Sequence, residues 1–277
     1  MNQKVLFVFI GLQIFSFFSF TEYLQAKTNL EKQDYAMSWQ AFAVNDYRKE
    51  PVKKYPYEAC FRKAAIQYGL PLTLLLAVAR GESDFNPLAA SNKSCYGIMQ
   101  IRWPQTANEL GIKRKKQLFD PCRNIKAGAR YIRQMLDRYN GNIHFAMAAY
   151  NYGPSRIGKT PSAYSLPEGA VWYSGYIFHH LEKIIQGSKI VQIPENKREL
   201  YKPGRKIPVI LFHNPYRASN FFQYVKENSK SLRLDWFRTS LGETYIVMIY
   251  DTIAEKTAGI YQMKKIGYSV DKKRVFR

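Results

Sequence analysis

Glu82 is the carboxylate best placed for chemistry in this 277-residue chain. It follows a run, Leu72 to Ala79, that is apolar almost all round, and a helix of that composition must be buried. A carboxyl at the C-terminal end of such a helix loses water and meets the negative end of the helix dipole. Both effects favour the protonated form, which is the form that serves as a general acid. The competing reading is a solvated residue just past a core helix. Asp84 lies on a different side of a continuing helix and so does not form a pair with Glu82. His144, His179, His180 and His213 show no ligand spacing, so no metal and no cofactor are expected. His179-His180 reads as a solvated pair on a helix. Three cysteines (Cys60, Cys95 and Cys122) are too few for a disulfide scaffold.

Helices must position Glu82. Cys60, Phe61, Ala64, Ala65 and Tyr68 repeat at three and four residues, and Gly69 stops that helix. Pro71 suits a helix start, and the Leu72 helix ends at Arg80-Gly81-Glu82-Ser83. From Asn124 to Tyr139 the pattern is amphipathic, with Ile125, Gly128, Ala129, Ile132, Met135 and Leu136 inward. Gly141 then separates it from a helix starting at Ile143. No strand signal interrupts residues 57–187, so this domain is read as all-α. After a basic connector over 188–207, Val209–Phe212 reads as a strand and Pro215–Val225 as a helix. Leu232, Leu234 and Trp236 alternate like a strand. Tyr245–Tyr250 is a further strand, Ile253–Lys265 a helix and Tyr268–Val270 a last short strand. The fold class is therefore α+β, an all-α domain followed by a small βαββαβ domain over 208–277.

Hydrophobic residues make up 46% of the chain, which excludes disorder over its whole length. The formal net charge of +21 is spread along the chain rather than gathered in a tail, so a polyanion or anionic surface is the natural partner. Residues 1–26 have the form of a secretory signal: Lys4, an uncharged apolar run from Val5 to Phe20, then polar residues and Ala26. The run is short for a membrane span, and an uncleaved anchor in the inner membrane is the alternative. Residues 27–56 are polar and read as a linker. An exported, periplasmic protein is expected, which excludes nucleic acid as the polyanion and permits disulfides.

Three blocks keep Glu82 company. The first is Gly81-Glu82-Ser83-Asp84-Phe85-Asn86-Pro87 with Ser91. Gly97-Ile98-Met99-Gln100 is the second, and Ala148-Ala149-Tyr150-Asn151-Tyr152-Gly153-Pro154 the third. Ser91 and Gln100 stand nine and eighteen residues after Glu82. Over roughly residues 57–185 this pattern resembles the lysozyme-like domain of soluble lytic transglycosylases, bacterial enzymes that cut peptidoglycan glycan strands. Asp120-Pro121, Asn124-Ile125 and Gly128 fit as well, and Trp172, Tyr173 and Tyr176 loosely resemble its closing helix. Cys60-Phe61 and Asp120-Pro121-Cys122 are similar to the small members associated with secretion and conjugation machinery. That likeness implies a Cys60–Cys122 disulfide worth about 2–4 kcal/mol, with Cys95 left over, and a cell-envelope machinery as partner.

The resemblance implies a peptidoglycan lytic transglycosylase with Glu82 as its single acid and base. It also implies that Ser91 holds the muramyl substituents or the reacting sugar, that Gln100 and Met99 line the cleft, that Tyr150 hydrogen-bonds near Glu82 and that Asn151 supports that block. For Met99, plain core packing is the competing reading. The chain departs from the family at Ser94-Cys95-Tyr96, at Arg102-Trp103, where one residue is added, and at Tyr152. These changes are expected to crowd the groove wall. A muramidase-type hydrolase of the same fold and a non-catalytic wall-binding or assembly component are the alternatives. In its order of elements, 208–270 resembles SPOR domains, which bind glycan strands; an unrelated small α/β domain is the other reading.

Overall fold

A computed structural model of the chain describes residues 34–162, 165–186, 200–201, 204–212, 215–229, 231–238, 244–268 and 270. The signal sequence expected over 1–26 lies outside them. No helix among the described residues is long and apolar enough to cross a membrane.

Residues 34–41 form helix α1, which runs on into a π-helical turn, Phe42–Asp46. Residues 34–46 of the segment expected as a linker over 27–56 are therefore helical, and residues 27–33 lie outside the described ones. Trp39 and Phe42 are 1% and 2% exposed, and the Trp39 indole donates to Ser174 Oγ at 2.8 Å. Two aromatic anchors in a polar segment are enough to dock it on the core.

Helix α2 (Glu58–Tyr68) ends at left-handed Gly69, and α3 (Leu72–Ser83) follows after Pro71. Leu74 to Ala79 are wholly buried, as an all-round apolar helix requires. Next comes a hairpin of two short antiparallel strands, β1 (Cys95–Tyr96) and β2 (Ile101–Arg102). It was not expected, because two residues are too few for strand periodicity to show in a sequence. After α4 (Gln105–Glu109) and a 3-10 turn, Asp120 caps α5 (Pro121–Arg138) by accepting from Arg123 N at 2.8 Å. Ile125, Ala129, Ile132, Met135 and Leu136 all face the core. Asn142 caps α6 (Ile143–Tyr152) in the same way, followed by α7 (Pro154–Ile157) and α8 (Glu168–Ile185). The Cys60–Cys122 disulfide is formed and joins α2 to α5.

The second unit contains β3 (Arg205–Phe212), α9 (Pro215–Asn228), β4 (Leu234–Arg238), β5 (Thr244–Tyr250) and α10 (Ile253–Lys265). The strands form an antiparallel sheet in the order β3-β5-β4, so β5 is inserted between the two strands that α9 connects. The final strand expected over 268–270 is not formed by its described residues. Gly267, at φ 89°, turns the chain off α10, and Tyr268 N donates back to Met263 O at 2.9 Å. That cap keeps Tyr268 in the helix-end turn rather than in a ladder.

Buried residues of both units join in one continuous hydrophobic cluster. Trp236 of β4 stacks on Phe222 of α9 at 5.8 Å and meets the α8 rings of Trp172 at 6.0 Å and His179 at 5.1 Å edge-on.

Candidate active site

Glu82 lies in the last turn of α3, half-buried, at a cleft of about 800 Å3. The helix holds that turn against α8 because residue 81 is glycine. A Cβ there would sit 2.9–3.0 Å from Ile177, His180 and Tyr176. The Tyr173 hydroxyl, on α8, donates to Glu82 Oε1 at 2.5 Å. On the other flank, Ser83 Oγ donates to Ile98 O at 2.8 Å, tying the acid's turn to the segment before β2.

The cleft brings together Glu82, Ser91, Gln100, Tyr150 and Asn151. Ser91 Oγ accepts from Cys95 N at 3.0 Å, and its backbone N donates to Cys95 O at 2.9 Å, closing the turn ahead of β1. Gln100 Nε2 donates to the carbonyls of Gly97 at 2.8 Å and Ala89 at 3.3 Å. The Tyr150 hydroxyl donates to Met99 O at 2.7 Å. Burial and then the nearby Glu82 charge push it well above the usual phenol range, so it stays a donor. The phenol seen to donate to Glu82 is that of Tyr173. Nothing in the local spacing of the sequence marked it, because the two residues lie 91 apart in the chain.

Met99 is a correction. It is 0% exposed and belongs to the core rather than the cleft. It packs on α5 where Gly128 leaves room: a Cβ at 128 would lie 2.6 Å from that of Met99. Its backbone does the site's work, since Met99 N donates to Asn124 Oδ1 at 2.7 Å and its carbonyl receives Tyr150.

The departures from the family separate into two groups. Cys95, Arg102 and Tyr152 line the cleft. Tyr96 instead packs edge-on to Phe119 at 5.8 Å under Lys115 at 4.3 Å, and neither it nor Trp103 lines the cleft. Burial pushes the Cys95 thiol up, against the pull of the Ser91 hydrogen bond, so it is not poised as a thiolate. Among the described lining residues Glu82 is the only carboxylate, and Lys93, Arg102 and Arg156 bring three positive charges to the walls. Such a wall attracts an anionic substrate.

The His179-His180 pair is not solvated as expected. His180 is buried and His179 half-buried, and both face Asp235 of β4. His179, His180 and Asp235 bring possible ligand atoms within 4.8 Å of one another. Arg80 and Lys183 already occupy that carboxylate, so a further cation there would face two positive charges. His144 is buried beside Ser174 on a different part of α8.

Residues 59–170 match the family model described as the transglycosylase SLT domain. Over 121 residues the chain is 36% identical to the membrane-bound lytic murein transglycosylase C of Histophilus somni, covering 38% of this chain and 33% of that one. It is 36% identical over 104 residues to the transglycosylase of Enterobacteria phage PRD1, covering 38% and 37%. To the soluble lytic murein transglycosylase of Escherichia coli it is 33% identical over 108 residues, covering 36% and 17%. A solved structure, the 70-kDa soluble lytic transglycosylase of Escherichia coli, is 23% identical over 64% of this chain and 32% of that one, at a TM-score of 0.41. The chain thus spans well under half the length of these curated relatives.

Proposed function

We propose that this protein is a peptidoglycan lytic transglycosylase that cleaves between N-acetylmuramic acid and N-acetylglucosamine, with Glu82 as general acid and then base. The observation that carries this is the single carboxylate among the described residues of the cleft, held at Oε1 by Tyr173, within residues that match the transglycosylase SLT domain. Protonated Glu82 gives its proton to the bridging oxygen, and the bond to the muramyl C1 breaks. The resulting carboxylate takes the proton of the muramyl 6-hydroxyl, whose oxygen closes on C1 as a 1,6-anhydro ring. The substrate supplies its own nucleophile, so the second carboxylate that glycoside hydrolases use has no task here. Arg102, Arg156 and Lys93 suit the carboxylates of the stem peptides. Ser91, Gln100 and Asn151 are the polar groups placed to hold the sugars. The cysteine pairing and the wall substrate fit a periplasmic site of action, with inner-membrane anchoring if the N-terminal signal is kept. A cell-envelope machinery is the partner class the sequence resemblance implies.

Mass spectrometry of products from purified peptidoglycan tests this, run beside the Glu82→Gln variant. Soluble products ending in 1,6-anhydro-muramic acid are expected from the native chain and none from the variant. Reducing ends would mean a hydrolase. Bound wall without product would mean a binding component.

A further inference from the structure

The C-terminal sheet reaches the turn that carries Glu82 from both sides. Arg80, two residues before Glu82, is 5% exposed, and each of its three guanidinium nitrogens makes a hydrogen bond. Nη2 donates to Asp235 Oδ2 of β4, Nη1 to His180 Nδ1 at 2.6 Å, and Nε to the Tyr201 hydroxyl at 3.3 Å. Asp84, two residues after Glu82, ends α3 in the left-handed region at φ 50°. Its carboxylate accepts from the Tyr201 hydroxyl at 3.0 Å and from Lys206 Nζ of β3. Tyr201 therefore bridges the two flanks of Glu82, and its ring stacks on Tyr55 at 5.0 Å. Asp235 is wholly buried and also receives Lys183 at 2.9 Å, His179 at 3.2 Å and Trp236 N at 2.9 Å. Burial raises the Asp235 carboxyl, but Arg80, His179 and Lys183 outweigh it and hold the group ionised.

A buried ion pair is a poor way to gain stability, because desolvating the charges offsets their attraction. Fixing geometry is the better-attested use of such a pair, and this one is built around a reactive carboxyl. We infer that the C-terminal unit braces the general acid: Asp235 through Arg80, and Tyr201 with Lys206 through Asp84, are positioning residues that set the α3 turn so that Glu82 meets Tyr173 and the glycosidic oxygen. This inference rests on the transglycosylase reading of Glu82. None of these five side chains lines the cleft, so substrate contact does not explain them. The same cluster ties down α8, which supplies Tyr173, His180 and Lys183, so acid and hydroxyl are held by one network.

Full-length Asp235→Asn and Tyr201→Phe variants test this, with Arg233→Ala as control. Arg233 lies in the same unit, and among the described residues it pairs with exposed Asp251 and Glu255 alone. The readouts are kcat and KM for muropeptide release from purified peptidoglycan, and hydrogen exchange of the backbone amides over 80–86. In Asp235→Asn, kcat should fall about tenfold or more while KM stays within about twofold, the pattern of lost positioning rather than lost binding. Tyr201→Phe should show the same split at a few-fold, and Arg233→Ala should change neither constant. Amides 80–86 should exchange faster in both variants, with those of α5 unchanged. An unchanged kcat in the folded variants overturns the inference, as does a loss confined to KM, which would mark a glycan-binding unit. If Asp235→Asn does not fold, Tyr201→Phe decides by the same criteria. If the native chain releases no product, the transglycosylase reading fails separately. Exchange over 80–86 then decides alone: faster exchange upholds the brace on this turn and unchanged exchange overturns it.

Discussion

Glu82 depends on a hydroxyl that lies 91 residues further along the chain. On the proposed mechanism, Tyr173 donates to the carboxylate that forms when Glu82 gives up its proton, so it steadies the anion and fixes its rotamer. A hydrogen bond to a charged group is worth about 1.5–3 kcal/mol. Tyr173→Phe should accordingly lower kcat roughly ten- to a hundredfold, with KM nearly unchanged, as initial rates of muropeptide release would show. An unchanged kcat would mean that the phenol only packs. Tyr150 meets the Met99 carbonyl in the same cleft.

At the scale of elements, the site is set by how closely α3 and α8 approach. Gly81 allows that approach, since any side chain would press on Ile177, His180 and Tyr176. Gly81→Ala should destabilise the fold by about 1–3 kcal/mol through overpacking, read as a lower midpoint in denaturant unfolding. Because Gly81 adjoins the acid, the same variant should lose activity at temperatures where it remains folded. A variant as stable as the native chain would show that the helices slide apart freely. The β1–β2 hairpin and the turn before it present Cys95 and Arg102 to the cleft, and they owe their shape to backbone bonds among Ser91, Ser94, Cys95 and Trp103.

At the scale of the molecule, two units share one core and a set of buried neutral histidines. Burial lowers His144 and His179 to about 4 from the usual 6.5. In the unfolded chain both bind a proton as the pH falls through about 6.5, whereas the native state resists until about 4. The unfolded state thus binds more protons in this window, and stability falls as the pH drops from 6.5 to 4. The loss is on the order of 3 kcal/mol per histidine at 1.36 kcal/mol per unit. Thermal unfolding across that range should show a steadily falling midpoint, and a His144→Gln variant should show a shallower slope, by about one proton. Equal slopes would remove His144 from the account. Below this window Asp235 adds to the loss, because its carboxyl is held below its ordinary value in the native state.

Local order was legible in the sequence because its causes are local. Gly69 ends α2, Asp120 starts α5, and an apolar run too uniform for a surface helix had to be α3. The resemblance to the family pattern implied a common site for Glu82, Ser91, Gln100 and Asn151, and these residues line one cleft. Tertiary packing decided which face each residue turned. Met99 went to the core because Gly128 opened a space for it, and the His179-His180 pair was buried because Asp235 came to meet it. Trp39 and Phe42 turned a polar stretch into a docked helix. Tyr173, Tyr201 and Asp235 reach the acid's turn from 91 to 155 residues away from their partners. Contacts at that separation leave no periodicity in a sequence, and only the closed fold brings them together.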